Sequence, residues 1–141
     1  MNSQKKIVIE SLEKIGDGWE KGATSLSQVY MSGIICEELM DKHLSIIENK
    51  RKDHPKMAIA VLLDYHALGK RIVYSVLRSC GYEVIDFGHG LSVEDLVEKT
   101  IEEKVAILLI STLMLPSALK IRMVKEQLTE RGCNTKIIVG G

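Results

Sequence analysis

Residues 57–63, Met-Ala-Ile-Ala-Val-Leu-Leu, are apolar at every position. A strand with one wet face alternates apolar and polar side chains, so an unbroken run of this length implies a strand covered on both faces. Three more short runs rich in Val and Ile follow at 83–87, 105–110 and 136–139. The segments between them, 69–80, 92–103 and 117–131, carry helical spacing; in the first, Ile72, Val73, Val76 and Leu77 share one face. Punctuation agrees with this division. Gly81 and Gly132 fall just past helix ends, Pro116 just inside a helix start, and Ser92-Val93-Glu94-Asp95 reads as a capping box. The pattern is β-α-β-α-β-α-β, which predicts a Rossmann-like (flavodoxin-like) α/β fold with a parallel sheet between helices.

Right-handed crossovers leave few ways to arrange such a unit. The order 2-1-3-4 places a switch point between the first and third strands, and ligands bind at the carboxyl ends of the strands there. The loops at that edge are Asp64-Tyr65-His66-Ala67-Leu68-Gly69, Ser111-Thr112-Leu113 and Gly140-Gly141. In the first, a carboxylate and an imidazole two residues apart can meet, Asp64 holding one ring nitrogen of His66 and leaving the other as a base or metal ligand. The alternative is that Asp64 caps the following helix and His66 merely packs. His89, in Gly88-His89-Gly90 after the second strand, is a rival ligand, but Phe87 stands where a carboxylate partner would be. His43 and His54 lie among polar neighbours and read as surface residues.

The first part of the chain is different in kind. Residues 4–15 carry Ile7, Val8, Leu12 and Ile15 on one helical face, with a stop expected at Gly16-Asp17-Gly18. Ser25 or Ser27 can cap a second helix reaching about Asn49, with Leu26, Val29, Tyr30, Gly33, Ile34, Leu39 and Met40 inward. Residues 48–55 are a charged run ending at Pro55, the best linker candidate, read as a solvated tether.

With 141 residues, the chain holds one domain or a small domain with an appendage. Nineteen basic residues balance nineteen acidic ones, so no net field draws nucleic acid or an anionic membrane. The longest apolar stretches are too short to span a bilayer and Met1 is followed by polar residues, which leads to the expectation of a cytoplasmic protein. Cys36, Cys80 and Cys133, odd in number and without a C-x-x-C pair, suggest buried thiols rather than disulfides or a zinc site. No nucleophile with a paired base, P-loop or dinucleotide fingerprint is present.

Taken together, D-x-H-x-x-G, S-x-L and G-G resemble the cobalamin-binding domains of methionine synthase, of the B12-dependent mutases and of the corrinoid proteins of methyltransferase systems. Residues 56–141 resemble the Rossmann-like B12 domain up to its G-G, and residues 16–47 its helical cap. The resemblance implies a partial cap over 1–52 and a cobalamin-binding domain over 53–141 that stops before its C-terminal part. It implies that His66 is the lower axial ligand of cobalt, with Asp64 behind it. It also implies that Gly69, Ser111, Leu113, Gly140 and Gly141 contribute to binding, with Ser111 and the glycines lining a slot for the displaced nucleotide tail.

Trp19, Val29 and Tyr30 match cap positions facing the upper side of the corrin; the competing reading makes Trp19 the anchor of a small helical core. The light-sensing B12 repressors carry Glu-His where this chain has Val29-Tyr30, which disfavours a light switch. The expected function is a corrinoid-binding methyl carrier, without activity alone, that passes a methyl group on cobalt from a substrate-specific methyltransferase to an acceptor methyltransferase. Self-association through the incomplete cap is a further expectation. The alternatives are an adenosylcobalamin-dependent mutase subunit, a B12-binding sensor, and a flavodoxin-like domain that binds nothing.

Overall fold

The structure is a computed structural model describing residues 3–44 and 51–141. It falls into two compact units that divide between residues 45 and 46.

The first unit holds helices α1 (Ser3–Glu20) and α2 (Leu26–Leu44). Contrary to the expected stop, α1 runs through Gly16-Asp17-Gly18. Gly18 serves the turn that follows: Ala23 and Thr24 donate their N–H groups to its carbonyl at 2.8 and 3.1 Å, and the space a side chain would fill there is taken by the Thr24 hydroxyl. Gly22, at φ +71°, completes the reversal. Helix α2 opens with a capping box. The Gln28 N–H reaches Ser25 Oγ at 3.3 Å while the Ser25 N–H reaches Gln28 Oε1 at 2.8 Å. Gly33 and Cys36 are buried, whereas Leu26, Tyr30 and Leu39, expected inward, are exposed. The expected continuation to Asn49 lies outside the described residues.

The second unit contains β1 (Met57–Leu62), α3 (Leu68–Ser79), β2 (Val84–Leu91), α4 (Val93–Glu102), β3 (Ile107–Ser111), α5 (Leu115–Glu130) and β4 (Lys136–Gly140). All pairings are parallel and the order is β2-β1-β3-β4, as the pattern predicts. Ser92 caps α4 by accepting the Asp95 N–H at 3.0 Å. One sheet face packs a closed core of Ala58, Ala60, Leu62, Phe87, Leu108 and Ile110 against Leu96 and Val97 of α4 and Val124 and Leu128 of α5. Within this unit, α3 packs on the other face, over Met57, Ile59 and Val84 with Tyr74 and Leu77.

Residues 51–55 are no free tether. Arg51 donates its N–H to Gly81 O at 2.8 Å and its guanidinium to Cys80 O and the Tyr82 hydroxyl, while His54 Nε2 accepts the Glu83 N–H at 3.2 Å. Of the cysteines, only Cys36 is buried; Cys80 is exposed and Cys133 intermediate.

Candidate cofactor site

The register Val61↔Ser111 and Ser111↔Gly140 sets the ends of β1, β3 and β4 level, so the three motif loops emerge at one edge. Beyond β1 the chain turns sharply through Leu63, at φ +57°. Asp64 is then folded inward, with 5% of its surface exposed. Its Oδ1 accepts the His66 backbone N–H at 2.8 Å and faces His66 Nδ1 at 3.0 Å; its Oδ2 accepts the Leu113 and Met114 N–H groups at 3.3 and 3.4 Å. Burial pushes the Asp64 carboxyl up, but these hydrogen bonds from His66, Leu113 and Met114 outweigh it and hold the group below the usual carboxylate range. An ionised carboxylate only accepts, so Nδ1 carries the proton and the Nε2 lone pair is left available. The side chain of His66 is 56% exposed.

Of the two readings of this pair, the geometry excludes the helix cap. The N-cap of α3 is Ala67, with no side-chain cap hydrogen bond, and Asp64 is spent on the imidazole and the β3 loop. Leu113 enters differently from its expected part: its backbone N–H holds Asp64 while its side chain is exposed. Met114 shares that role and carries no sequence signal, because a backbone donor leaves none.

Beside this pair lies a cleft of about 180 Å³, walled by Gly69, Lys70 and Val73 of α3 and by the strand ends Ser111, Gly140 and Gly141. A Cβ on Gly69 would sit 3.3 Å from Ser111 Oγ, so the start of α3 and the end of β3 approach as closely as a bare Cα permits. A Cβ on Gly141 would collide with the Thr112 carbonyl. The floor is Ile59, Leu109 and Ile138. Leu109 and Ile138 escaped the motif reading, although each lies two residues before a motif residue and therefore faces the same way. Lys70 was also passed over. It is buried, and its ammonium forks onto both oxygens of Asp86 at 2.6 and 2.8 Å, while Asp86 Oδ1 accepts the Gly88 N–H at 2.8 Å.

His89 is not in a loop after the second strand, as expected, but within β2, its ring edge-on to Tyr65 with centroids 5.5 Å apart. The extension of β2 through Gly88 and Gly90, both at positive φ, is what moves it. Trp19, Val29 and Tyr30 belong to the helical unit. Trp19 is 54% exposed, so that unit does not bury it as an anchor; Tyr30 is exposed and Val29 half-buried.

This defines a class: a doubly wound parallel α/β domain with a carboxylate-held imidazole and a Gly/Ser-walled cleft at its switch point. An imidazole held through one nitrogen with the other free would suit a metal centre that brings most of its own ligands, and the adjoining cleft has room for an appended group. The profile of the B12 binding domain matches residues 55–141. The chain belongs to the B12-binding domain family, and its cofactor is cobalamin or a related corrinoid. It is 31% identical over 140 residues to trimethylamine corrinoid protein 1 of Methanosarcina acetivorans, covering 92% of this chain and 63% of that protein. The structure of the Methanosarcina barkeri monomethylamine corrinoid protein superposes with a TM-score of 0.67 at 25% identity, over 94% of this chain and 64% of the other. The methanol:cobalamin methyltransferase complex of the same organism gives 0.57 at 25% identity, over 98% of this chain and 54% of the other. The chain thus spans under two thirds of the length of these relatives. Among the described residues, no helix is long and apolar enough to cross a membrane.

Proposed function

We propose that the chain is the corrinoid-binding methyl carrier of a cobalamin-dependent methyltransferase system, with His66 the protein ligand of cobalt. The observation that carries this reading is the Asp64–His66 pair, in which Nδ1 is tied at 3.0 Å to a buried carboxylate and Nε2 is left open at the switch point. Bound corrinoid supplies a cobalt centre that accepts and donates a methyl group. The protein's own work is binding and orientation.

Asp64 fixes the Nδ1–H tautomer and orients the ring, leaving Nε2 to face a ligand. Gly69, Ser111, Gly140 and Gly141 wall the slot for the nucleotide tail, and the Ser111 hydroxyl is its polar handle. Trp19, Val29 and Tyr30 are the helical-unit side chains proposed to exclude water from the cofactor. Donor and acceptor methyltransferases are the proposed partners, with methylated amines or methanol as the donor class, in line with what the relatives' names say of them. Self-association through exposed apolar residues of α1 and α2 belongs to the same proposal.

The test is titration of the purified chain with cob(II)alamin, followed by absorption and electron paramagnetic resonance (EPR), beside His66→Ala. The expected result is a base-off, histidine-on spectrum with nitrogen splitting from the protein imidazole, lost in the variant. A free-cofactor spectrum from the unsubstituted chain would remove the reading.

A further inference from the structure

Resting on His66 as the cobalt ligand, we propose that Tyr65 and Gly90 form a latch that positions it. The loop carrying His66 leaves β1 through a leucine in the left-handed region, a conformation leucine does not hold unaided. Support comes from β2. The Leu63 N–H donates to Leu91 O, and the Gly90 N–H donates to Asp64 O, both at 2.8 Å. β2 reaches these positions because it is bulged. Pairing runs Ile59↔Asp86, Ala60↔Gly88 and Leu62↔Leu91, so β2 takes five residue steps where β1 takes three.

The second bulge brings Gly90, at φ +67°, beneath the ring of Tyr65. A Cβ at residue 90 would lie 2.7 Å from Tyr65 Cε1 and 2.9 Å from Cζ, so the ring rests on the bare Cα. The His89 ring stands edge-on to it at an interplanar angle of 66°. Three consecutive side chains are therefore directed separately: Asp64 inward to the β3 loop, Tyr65 sideways onto β2, and His66 outward. The carboxylate ties the loop to β3 and the tyrosine seat ties it to β2. With both ties in place the imidazole has one course. With the second removed, the Leu63–Leu91 and Gly90–Asp64 backbone hydrogen bonds still anchor the base of the loop, but residue 65 loses its seat on β2 and the peptide leading into His66 gains freedom.

Tyr65 is 75% exposed, so deleting its ring removes little buried surface and a merely structural role predicts little effect anywhere. As a positioning residue it predicts loss at the metal. In cob(II)alamin-loaded protein, Tyr65→Ala should reduce the fraction of cobalt showing imidazole nitrogen splitting and weaken corrinoid binding by roughly tenfold, the low end for loss of a ligand's supporting partner. Tyr65→Phe, which keeps the ring on Gly90, should restore both. Gly90→Ala should lose ligation more completely, and Tyr65→Ala/Gly90→Ala should regain part of what Gly90→Ala loses, because the collision is gone. Thermal unfolding of the apo variants and the His66 imidazole ¹⁵N resonances give readouts without cofactor: an unchanged melting temperature for Tyr65→Ala with broadened ring resonances is expected. Wild-type splitting and affinity in Tyr65→Ala, alongside a His66→Ala variant that loses both, would overturn the latch and leave the ligand intact. Equal behaviour of Tyr65→Phe and Tyr65→Ala would also overturn it. If His66→Ala itself changes nothing, the ligand reading falls and the latch with it.

Discussion

The two faces of the sheet differ in what covers them. Helices α4 and α5 close one face over Leu96, Val97, Leu108, Ile110, Val124 and Leu128, all buried. On the other, within the second unit, α3 packs over β1 and β2 with Leu109 at the margin of that smaller core, and beyond it Ser111, Gly140 and Ile138 line a cleft. One strand set thus supports two kinds of surface. The closed face contributes stability and the open one keeps room, because a slot for a small molecule must lack the side chains that would complete a core.

The comparison breaks most directly at Leu108, fully buried at the centre of the closed face. Leu108→Ala should cost about 3 kcal/mol, from lost transfer energy and the cavity left behind. Urea unfolding of the apo protein measures it. A cost below about 1 kcal/mol would mean that the closed face is no better packed than the open one.

Asp64 stands at the edge where the open face meets the loops, and its effect should depend on pH. Its native carboxyl is held below the usual range, so the protein binds fewer protons there than the unfolded chain does as acid is added. Its stabilisation is therefore fully present above about pH 4, the unfolded carboxylate value, and is lost as pH falls through the lower native value. Asp64→Asn keeps the shape but turns an amide donor toward backbone N–H groups, costing roughly 2 kcal/mol at pH 7. The gap between Asp64→Asn and the unsubstituted chain should shrink toward pH 3; a gap constant from pH 7 to 3 would assign it to packing alone.

Much of this architecture was legible in the sequence because it is written in periodicity. The run at 57–63 had to be a central strand, and the spacing of Ile72, Val73, Val76 and Leu77 had to be a helix, although Val73 and Val76 are exposed and the α3 side chains that pack on the sheet are Tyr74 and Leu77. Asp64, His66, Gly69, Ser111, Gly140 and Gly141 were legible as candidates that the topology gathers at one sheet edge, because their residue types stand out in the sequence. What escaped depends on backbone. The Leu113 and Met114 donors leave no trace in side-chain identity, and the β2 bulges depend on Gly88 and Gly90 adopting positive φ, which the sequence permits without requiring. In the helical unit, Leu26, Tyr30 and Leu39 followed helical spacing and were expected inward, yet they are exposed: two helices offer too little surface to cover every apolar position.

The finest division of the two faces falls between neighbours on β4. Ile137 packs against the closed core, while Ile138, one residue on and 53% exposed, lines the cleft. Successive strand residues point to opposite faces, so the pair is a controlled comparison: same strand, same residue type, same neighbouring strand. Ile137→Ala should cost about 1 to 2 kcal/mol, less than a fully buried isoleucine because it is only partly covered. Ile138→Ala should cost under about 0.5 kcal/mol, since the side chain gives up little buried surface on truncation. Chemical denaturation of the two apo variants reads the difference. Equal costs would mean that something covers the cleft in solution, and the division into a closed face and an open one would then describe only part of the working protein.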